Sequence, residues 1–232
     1  MLFHETLSDY IAFQKEKLAK LEAAALPDSV VIAGVYRRTL ASRQSAQPVA
    51  SERMDALEID ARGVIGGDHH NDSRPSGGRE LSLYPRGTVI RHRRQLCVVS
   101  RDDCEVLSQR LGVAITPEML GANLLLDGIE GAPLSLAQMP RGTHLIVQAD
   151  RAPKGKAPPR ATLVHHVNQR GCGITGKSIA DHYGDKALVK AFREASTEHR
   201  GILCSVDYPV TSTVTLEPGM RLTLKFPLGI AP

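Results

Sequence analysis

The chain has 232 residues, 42% apolar and 23% charged, ordinary values for a globular protein. That length allows one large domain or two small ones at about 150 residues each. Lys and Arg number 29 against 25 Asp and Glu, so the net charge of +4 is too mild to call for nucleic acid, and no Trp, four Phe and five Tyr leave little for base stacking. No apolar run approaches the roughly 18 residues that cross a bilayer, and Glu5 and Asp9 stand where a signal peptide would carry its basic start. A cytoplasmic protein with reduced thiols, no membrane partner and no nucleic-acid partner is expected.

In chain order, residues 3 to 25 predict an amphipathic helix, with Phe3, Leu7, Tyr10, Ile11, Leu18 and Leu21 at helical spacing and Pro27 stopping it. We take 1–28 as a peripheral helix packed outside a single domain, 29–232. Ser29 to Arg37 predicts a strand. Residues 38 to 52 are polar and predict a mobile loop, and Met54, Leu57 and Ile59 a second strand. Gly63 to Gly78 is a long loop rich in Gly, Asp, Asn, Ser and His, and long loops in compact domains are usually functional or disordered. Short strands follow at Glu80 to Tyr84, Thr88 to Arg91 and Gln95 to Val99.

Ser100 reads as the N-cap of a helix through Leu111, with Asp102 and Asp103 in its first turn and Gly112 ending it. Thr116-Pro117 predicts another cap with proline at the first helical position. Strands are expected near Asn123 to Leu126, His144 to Gln148 and Thr162 to Val167, with a basic Pro/Gly loop at Arg151 to Arg160. Asp185 caps a helix carrying Leu188, Phe192 and Ala195, closed by Gly201, and strands at Ile202 to Val206 and Arg221 to Phe226 finish the chain. Many short strands with a few helices, and no G-x-G-x-x-G after a strand, exclude a doubly wound sheet. The fold class is mainly β with helical insertions (α+β), as a closed or nearly closed β-barrel, since closure removes strand edges.

Four groups could carry chemistry. Gly66 to Asp72 holds Asp68, His69, His70 and Asp72 on a glycine-rich loop, suited to a metal, to proton relay, or simply to solvent. His165-His166 lies on a strand, so one ring points in and the other out, and a buried structural histidine is the simpler reading. Arg86, Arg91, His92, Arg93 and Arg94 form a basic stretch, either a solvated hairpin or an anion site. Of Cys97, Cys104, Cys172 and Cys204, none is in C-x-x-C. Cys97 and Cys204 sit in apolar strands and read as core, and Cys104 neighbours two aspartates. Cys172 lies between Gly171 and Gly173 with Arg170 and Lys177 near in sequence, and nearby positive charge favours the thiolate.

The order of these segments resembles the MOSC family, named after the C-terminal domain of molybdenum cofactor sulfurase. The resemblance runs from Val64 to Leu224. It rests on Gly67-Asp68-His69-His70, Gly78-Arg79-Glu80-Leu81, Arg93-Arg94-Gln95-Leu96 with Val98-Val99-Ser100, Leu120-Gly121-Ala122-Asn123-Leu124, Met139-Pro140-Arg141-Gly142-Thr143, Asn168 with Cys172, and Arg200-Gly201-Ile202. The chain departs from the family's N-x-P-C by one extra residue and by Gly171 in place of proline.

The resemblance implies a barrel that binds the molybdenum cofactor (molybdopterin) or carries sulfur, with Cys172 as persulfide carrier or thiolate ligand of the metal. It makes the chain a molybdenum-cofactor-dependent oxidoreductase or a sulfurtransferase. It assigns cofactor contacts to Asp68, His70, Arg79, Asn123, Asn168 and Arg200, the arginines toward phosphate and the asparagines toward pterin edges. Partners would be a sulfur donor such as a cysteine desulfurase, or an electron-transfer protein. The chain has no room for the sulfurase's pyridoxal-phosphate domain, so no pyridoxal phosphate is expected to act in it. Two other classes stay open: a non-catalytic barrel that holds an anion or a partner, and a metal-dependent hydrolase with zinc or manganese on Asp68 and His70.

Overall fold

The architecture, a computed structural model, describes residues 27–39, 41, 49–78, 81–148, 160–209 and 212–227. The helix expected over 3 to 25, Arg79 and Glu80, and the basic stretch 151–159 lie outside the described residues.

The principal strands are β1 (Ser29–Arg37), β7 (Leu96–Ser100), β8 (Leu124–Gly128), β9 (His144–Gln148), β10 (Arg160–Asn168), β11 (Ile202–Tyr208) and β13 (Arg221–Lys225). They pair in the order β13-β9-β10-β11-β7-β8-β1, and β1 pairs again with β13. The sheet therefore closes into a seven-stranded barrel with no free edge in the ring. β1 can serve two neighbours because its first half pairs β13 and its second half carries β2 (Glu52–Met54) on the same side. All the ring's pairs are antiparallel except β7 with β8. A parallel pair needs a long crossover, and helix α1 (Arg101–Leu111) supplies it.

The remaining strands lie beside the barrel. β3 (Leu57–Asp60) pairs β4 (Gly63–Val64) and β12 (Val214–Leu216), while β5 (Ser73–Pro75) pairs β6 (Val89–Arg91). β12 was not among the expected strands. Leu81 to Tyr84, expected as a strand, is a turn whose Leu81, Leu83 and Tyr84 are exposed, so β-propensity there found no partner strand. Thr116-Pro117 opens tight turns rather than a helix, because the amides of Leu120 and Ala122 bond back to Thr116 and Pro117 and the chain then enters β8.

Strand alternation sorts the apolar side chains into two cores. The barrel interior holds Ile32, Leu96, Val98, Leu126, Leu163 and Leu222 among others, all at 0% exposure. A second core lies between the barrel's outer face and three helices: α1, α2 (Gly173–Tyr183) and α3 (Leu188–Ala195). Val99, Leu107, Leu120, Ile179, Leu188 and Phe192 fill it. α1 starts and stops as its sequence demands: Ser100 Oγ accepts from the Asp103 amide, and Gly112 takes the left-handed conformation at φ 67°.

Cys204 packs in the barrel and Cys104 in the outer core, and burial pushes both thiols up, Cys104 to about 12. Cys97 departs from expectation. It is half-buried and points out of the barrel toward the helical layer, because β7 places Leu96 and Val98 inward.

Candidate functional site

Cys172 is the N-cap of α2, following directly on β10 and a short turn. The glycine before it is required by packing: a Cβ on Gly171 would collide with Ser196 Oγ and the Arg193 backbone of α3. The bend thus holds the thiol at the start of a helix, where the unpaired amides and the helix dipole favour a negative charge. Thr175 is the main local partner. Its Oγ1 lies 3.1 Å from Cys172 Sγ, and its backbone N–H donates to the same sulfur at 3.4 Å.

Arg200 completes the environment. It stands at the mouth of β11 and is only 4% exposed. Its Nη2 donates to Leu120 O at 2.7 Å and to Thr175 Oγ1 at 3.4 Å. Nη1 lies 4.0 Å from Cys97 Sγ. Half-burial pushes the Cys172 thiol up, but the hydrogen bonds from Thr175, the Arg200 charge and the Ile174 amide outweigh it, and the net shift is down. These contacts favour the thiolate form of Cys172. The neighbours expected from sequence do not supply this: Lys177 pairs with Asp181 at 2.8 Å on the outer face of α2. The cation comes instead from Arg200, 28 positions beyond Cys172 and brought near by the β10–β11 pairing.

The Leu120-Gly121-Ala122-Asn123 segment is the site's back wall. Gly121 has φ +64°, and a Cβ there would meet Val49 O at 2.5 Å and Arg38 Nη1 at 3.0 Å. This turn presents the Leu120 carbonyl to Arg200. Asn123 Oδ1 accepts from the Cys97 amide at 2.9 Å, and Nδ2 donates to Tyr36 O at 3.3 Å. Both ends of the Asn123 amide are therefore engaged in holding β7 and β1. Gln169 sits on the other side and its Nε2 donates to Cys97 Sγ at 2.8 Å. Cys97, expected as core, and Gln169, given no role of its own, border the site, and Thr175 was not singled out from sequence; its spacing three after Cys172, as in a capping motif, was the available signal.

The remaining expected residues stand as follows. Asp68 pairs with Arg38 Nε at 2.7 Å, its side chain 4% exposed. Arg38 in turn reaches Gly121, so the Gly66–Asp68 segment meets the back wall through this arginine. His70 Nε2 bonds Asp60 Oδ1 at 2.9 Å, away from the Asp68–Arg38 pair. Asp68 and His70 are therefore not brought together on a common point, and no group of three or more His, Cys, Asp or Glu among the described residues could hold a metal ion. Asn168 Nδ2 donates to Ala137 O at 2.9 Å. His165 is fully buried and bonded to Pro140 O at 3.0 Å, while His166 faces outward to Ser205 Oγ at 2.7 Å.

These features meet the comparisons with known proteins. The family model for the MOSC domain matches residues 66–222. The chain belongs to the MOSC domain family. It is 31% identical over 161 residues to YuaD of Bacillus subtilis (strain 168), a protein assigned provisionally, by its name, to metal-sulfur cluster biosynthesis; the match covers 68% of this chain and 76% of YuaD. The crystal structure of the YuaD protein from Bacillus subtilis superimposes with a TM-score of 0.67 at 26% identity, covering 84% of this chain and 95% of that one. A second solved structure, YiiM from Geobacillus stearothermophilus, gives a TM-score of 0.48 at 15% identity. The MOSC family and its barrel, expected from the order of the segments, are thereby established. No helix among the described residues is long and apolar enough to cross a membrane.

Proposed function

We propose that this MOSC protein is a sulfur carrier for metal–sulfur chemistry, holding sulfur as a persulfide on Cys172. The observation that carries the reading is the Cys172 environment: a thiol at a helix N-terminus, bonded by Thr175 and brought below its ordinary pKa with help from a buried arginine. YuaD's name, which concerns metal-sulfur cluster biosynthesis, points the same way.

In the loading step, the Cys172 thiolate attacks the outer sulfur of a donor persulfide, such as that of a cysteine desulfurase. A bond forms between Cys172 Sγ and that sulfur, the donor's S–S bond breaks, and the donor leaves as thiolate. No redox partner is consumed. Thr175 and Arg200 hold the attacking thiolate, and the same groups receive it again when the sulfur is passed on. Such chemistry belongs in a reducing compartment, which the cytoplasm provides, and all four cysteines are free.

A second reading makes Cys172 the protein thiolate on molybdenum. The chain's donor set fits a metal centre that brings its other ligands with it, because Cys172 offers one sulfur and no group of three or more His, Cys, Asp or Glu among the described residues could hold a metal by itself. The polar groups assigned to the cofactor fit less well: Asn123 has both amide atoms engaged, and Asp68 and His70 are paired with Arg38 and Asp60. The sulfur-carrier reading needs none of them. Incubation with a persulfide donor, alkylation and peptide mass mapping test it. Added sulfur on the Cys172 peptide supports the carrier; stoichiometric molybdenum in protein from a molybdenum-replete host, with no sulfur loading, supports the ligand instead.

A further inference from the structure

Arg200 is a buried cation without a carboxylate. It is 4% exposed, makes no ion pair among the described residues, and its Nε has no hydrogen-bond partner. A buried guanidinium left without a counter-anion is costly. Nη1 faces Cys97 Sγ at 4.0 Å, while Nη2 faces the Leu120 carbonyl at 2.7 Å and Thr175 Oγ1 at 3.4 Å, the hydroxyl that lies 3.1 Å from Cys172 Sγ. Cys97 is also half-buried and accepts from Gln169 Nε2 at 2.8 Å, so two donors converge on a sulfur that the barrel core does not enclose. Asn123 fixes the Cys97 backbone in place.

We propose that Cys97 is the second thiol of this site and takes over sulfur from Cys172, with Arg200 as the shared counter-cation of the sulfur anions. The inference rests on the sulfur-carrier reading of Cys172. In the transfer, the Cys97 thiolate attacks the outer sulfur of the Cys172 persulfide. A Cys97 Sγ–S bond forms, the Cys172 Sγ–S bond breaks, and Cys172 leaves as a thiolate into the hydrogen bonds of Thr175. The proton on the outer sulfur stays with it, so atoms and electrons balance without an oxidant. Gln169 and Arg200 hold Cys97 as the acceptor and then stabilise its persulfide.

The test is a time course with inorganic polysulfide on the full chain, quenched by alkylation and mapped by peptide mass, for the wild type, Cys172→Ala, Cys97→Ala and Cys97→Ser. In the wild type, sulfur appears first on Cys172 and then on Cys97, at a rate independent of protein concentration. In Cys172→Ala, Cys97 loads at least tenfold more slowly. In both Cys97 variants, Cys172 still loads and its persulfide lasts several-fold longer. Loading of Cys172 with no sulfur on Cys97 overturns the relay and leaves the carrier standing. Equal loading of Cys97 in the wild type and in Cys172→Ala, or a transfer rate that rises with protein concentration, also overturns the relay. No sulfur on Cys172 in the wild type overturns the carrier and the relay together.

Discussion

Thr175→Val isolates the hydroxyl that faces the reactive sulfur. Valine nearly matches threonine in volume, and the site is 1% exposed, so the change removes Oγ1 with little repacking of α2. Two contacts go: the one to Cys172 Sγ at 3.1 Å and the one to Arg200 Nη2 at 3.4 Å. The backbone donor at 3.4 Å remains, as does the Arg200 bond to Leu120 O at 2.7 Å. A hydrogen bond to a charged group is worth about 1.5–3 kcal/mol, and the second, longer contact adds little. Loss of about 1.4 kcal/mol from the thiolate alone raises the thiol pKa by about one unit. The Cys172 thiol therefore moves up, and its thiolate fraction below the pKa falls roughly tenfold. Peptide-resolved alkylation with iodoacetamide across pH 5 to 10 measures this for each cysteine separately. An unchanged or faster Cys172 profile in Thr175→Val would refute the electrostatic account of this thiol.

Cys172→Ser should abolish sulfur loading yet leave the melting temperature equal or higher, since serine is a better N-cap than cysteine and can accept from the Thr175 amide; a large drop would show the thiol to be structural. Asn123→Ala should cost about 2–4 kcal/mol in urea unfolding, because it strands the Cys97 amide and the Tyr36 carbonyl, and a cost under about 0.5 kcal/mol would remove Asn123 from its bracing role. Burial first and then Arg74 and Arg94 push His92 down to about 4, while burial, Arg93 and then His165 and Arg91 do the same to His166. An unfolded chain binds those protons from about pH 6.5, so the folded state should lose stability as pH falls from about 6.5 toward 4. His92→Gln should flatten part of that slope in pH-dependent unfolding, and an identical slope would discount the His92 contribution.

Much of the barrel is legible in the sequence because its strands are short apolar runs bounded by turn residues. β1, β7, β9 and β10 lie where Val, Ile and Leu concentrate, and α1 is announced by Ser100 and Gly112. The ring's closure is not local: it depends on β1 meeting β13 from the far end of the chain. α2 escaped notice because cysteine is a weak capping signal and Gly173 and Gly176 depress helix propensity in its first turn. Packing overrides that propensity, since a Cβ on Gly176 would press on the Val189 backbone of α3.

Cys172 stands out in the sequence by its glycines and the family order, but the groups that surround it do not. Arg170 and Lys177 are near in sequence, whereas Arg200 acts because β10 and β11 lie side by side. Cys97 was misjudged for a related reason: an apolar strand in a barrel has an outer face as well, and a helical layer covers it only in part. Likewise the asparagine of Leu120-Gly121-Ala122-Asn123 braces two strands, a role that becomes visible only when Cys97 and Tyr36 stand on either side of it.

The central claim concerns one sulfur atom on one residue. Wild-type protein is incubated with a persulfide donor, alkylated and digested, and the Cys172 peptide is weighed. The account predicts that this peptide gains the mass of one sulfur atom ahead of every other cysteine peptide, and that reductant removes it. First gain on the Cys104 or Cys204 peptide, or no gain on Cys172 while the donor is consumed, would contradict it.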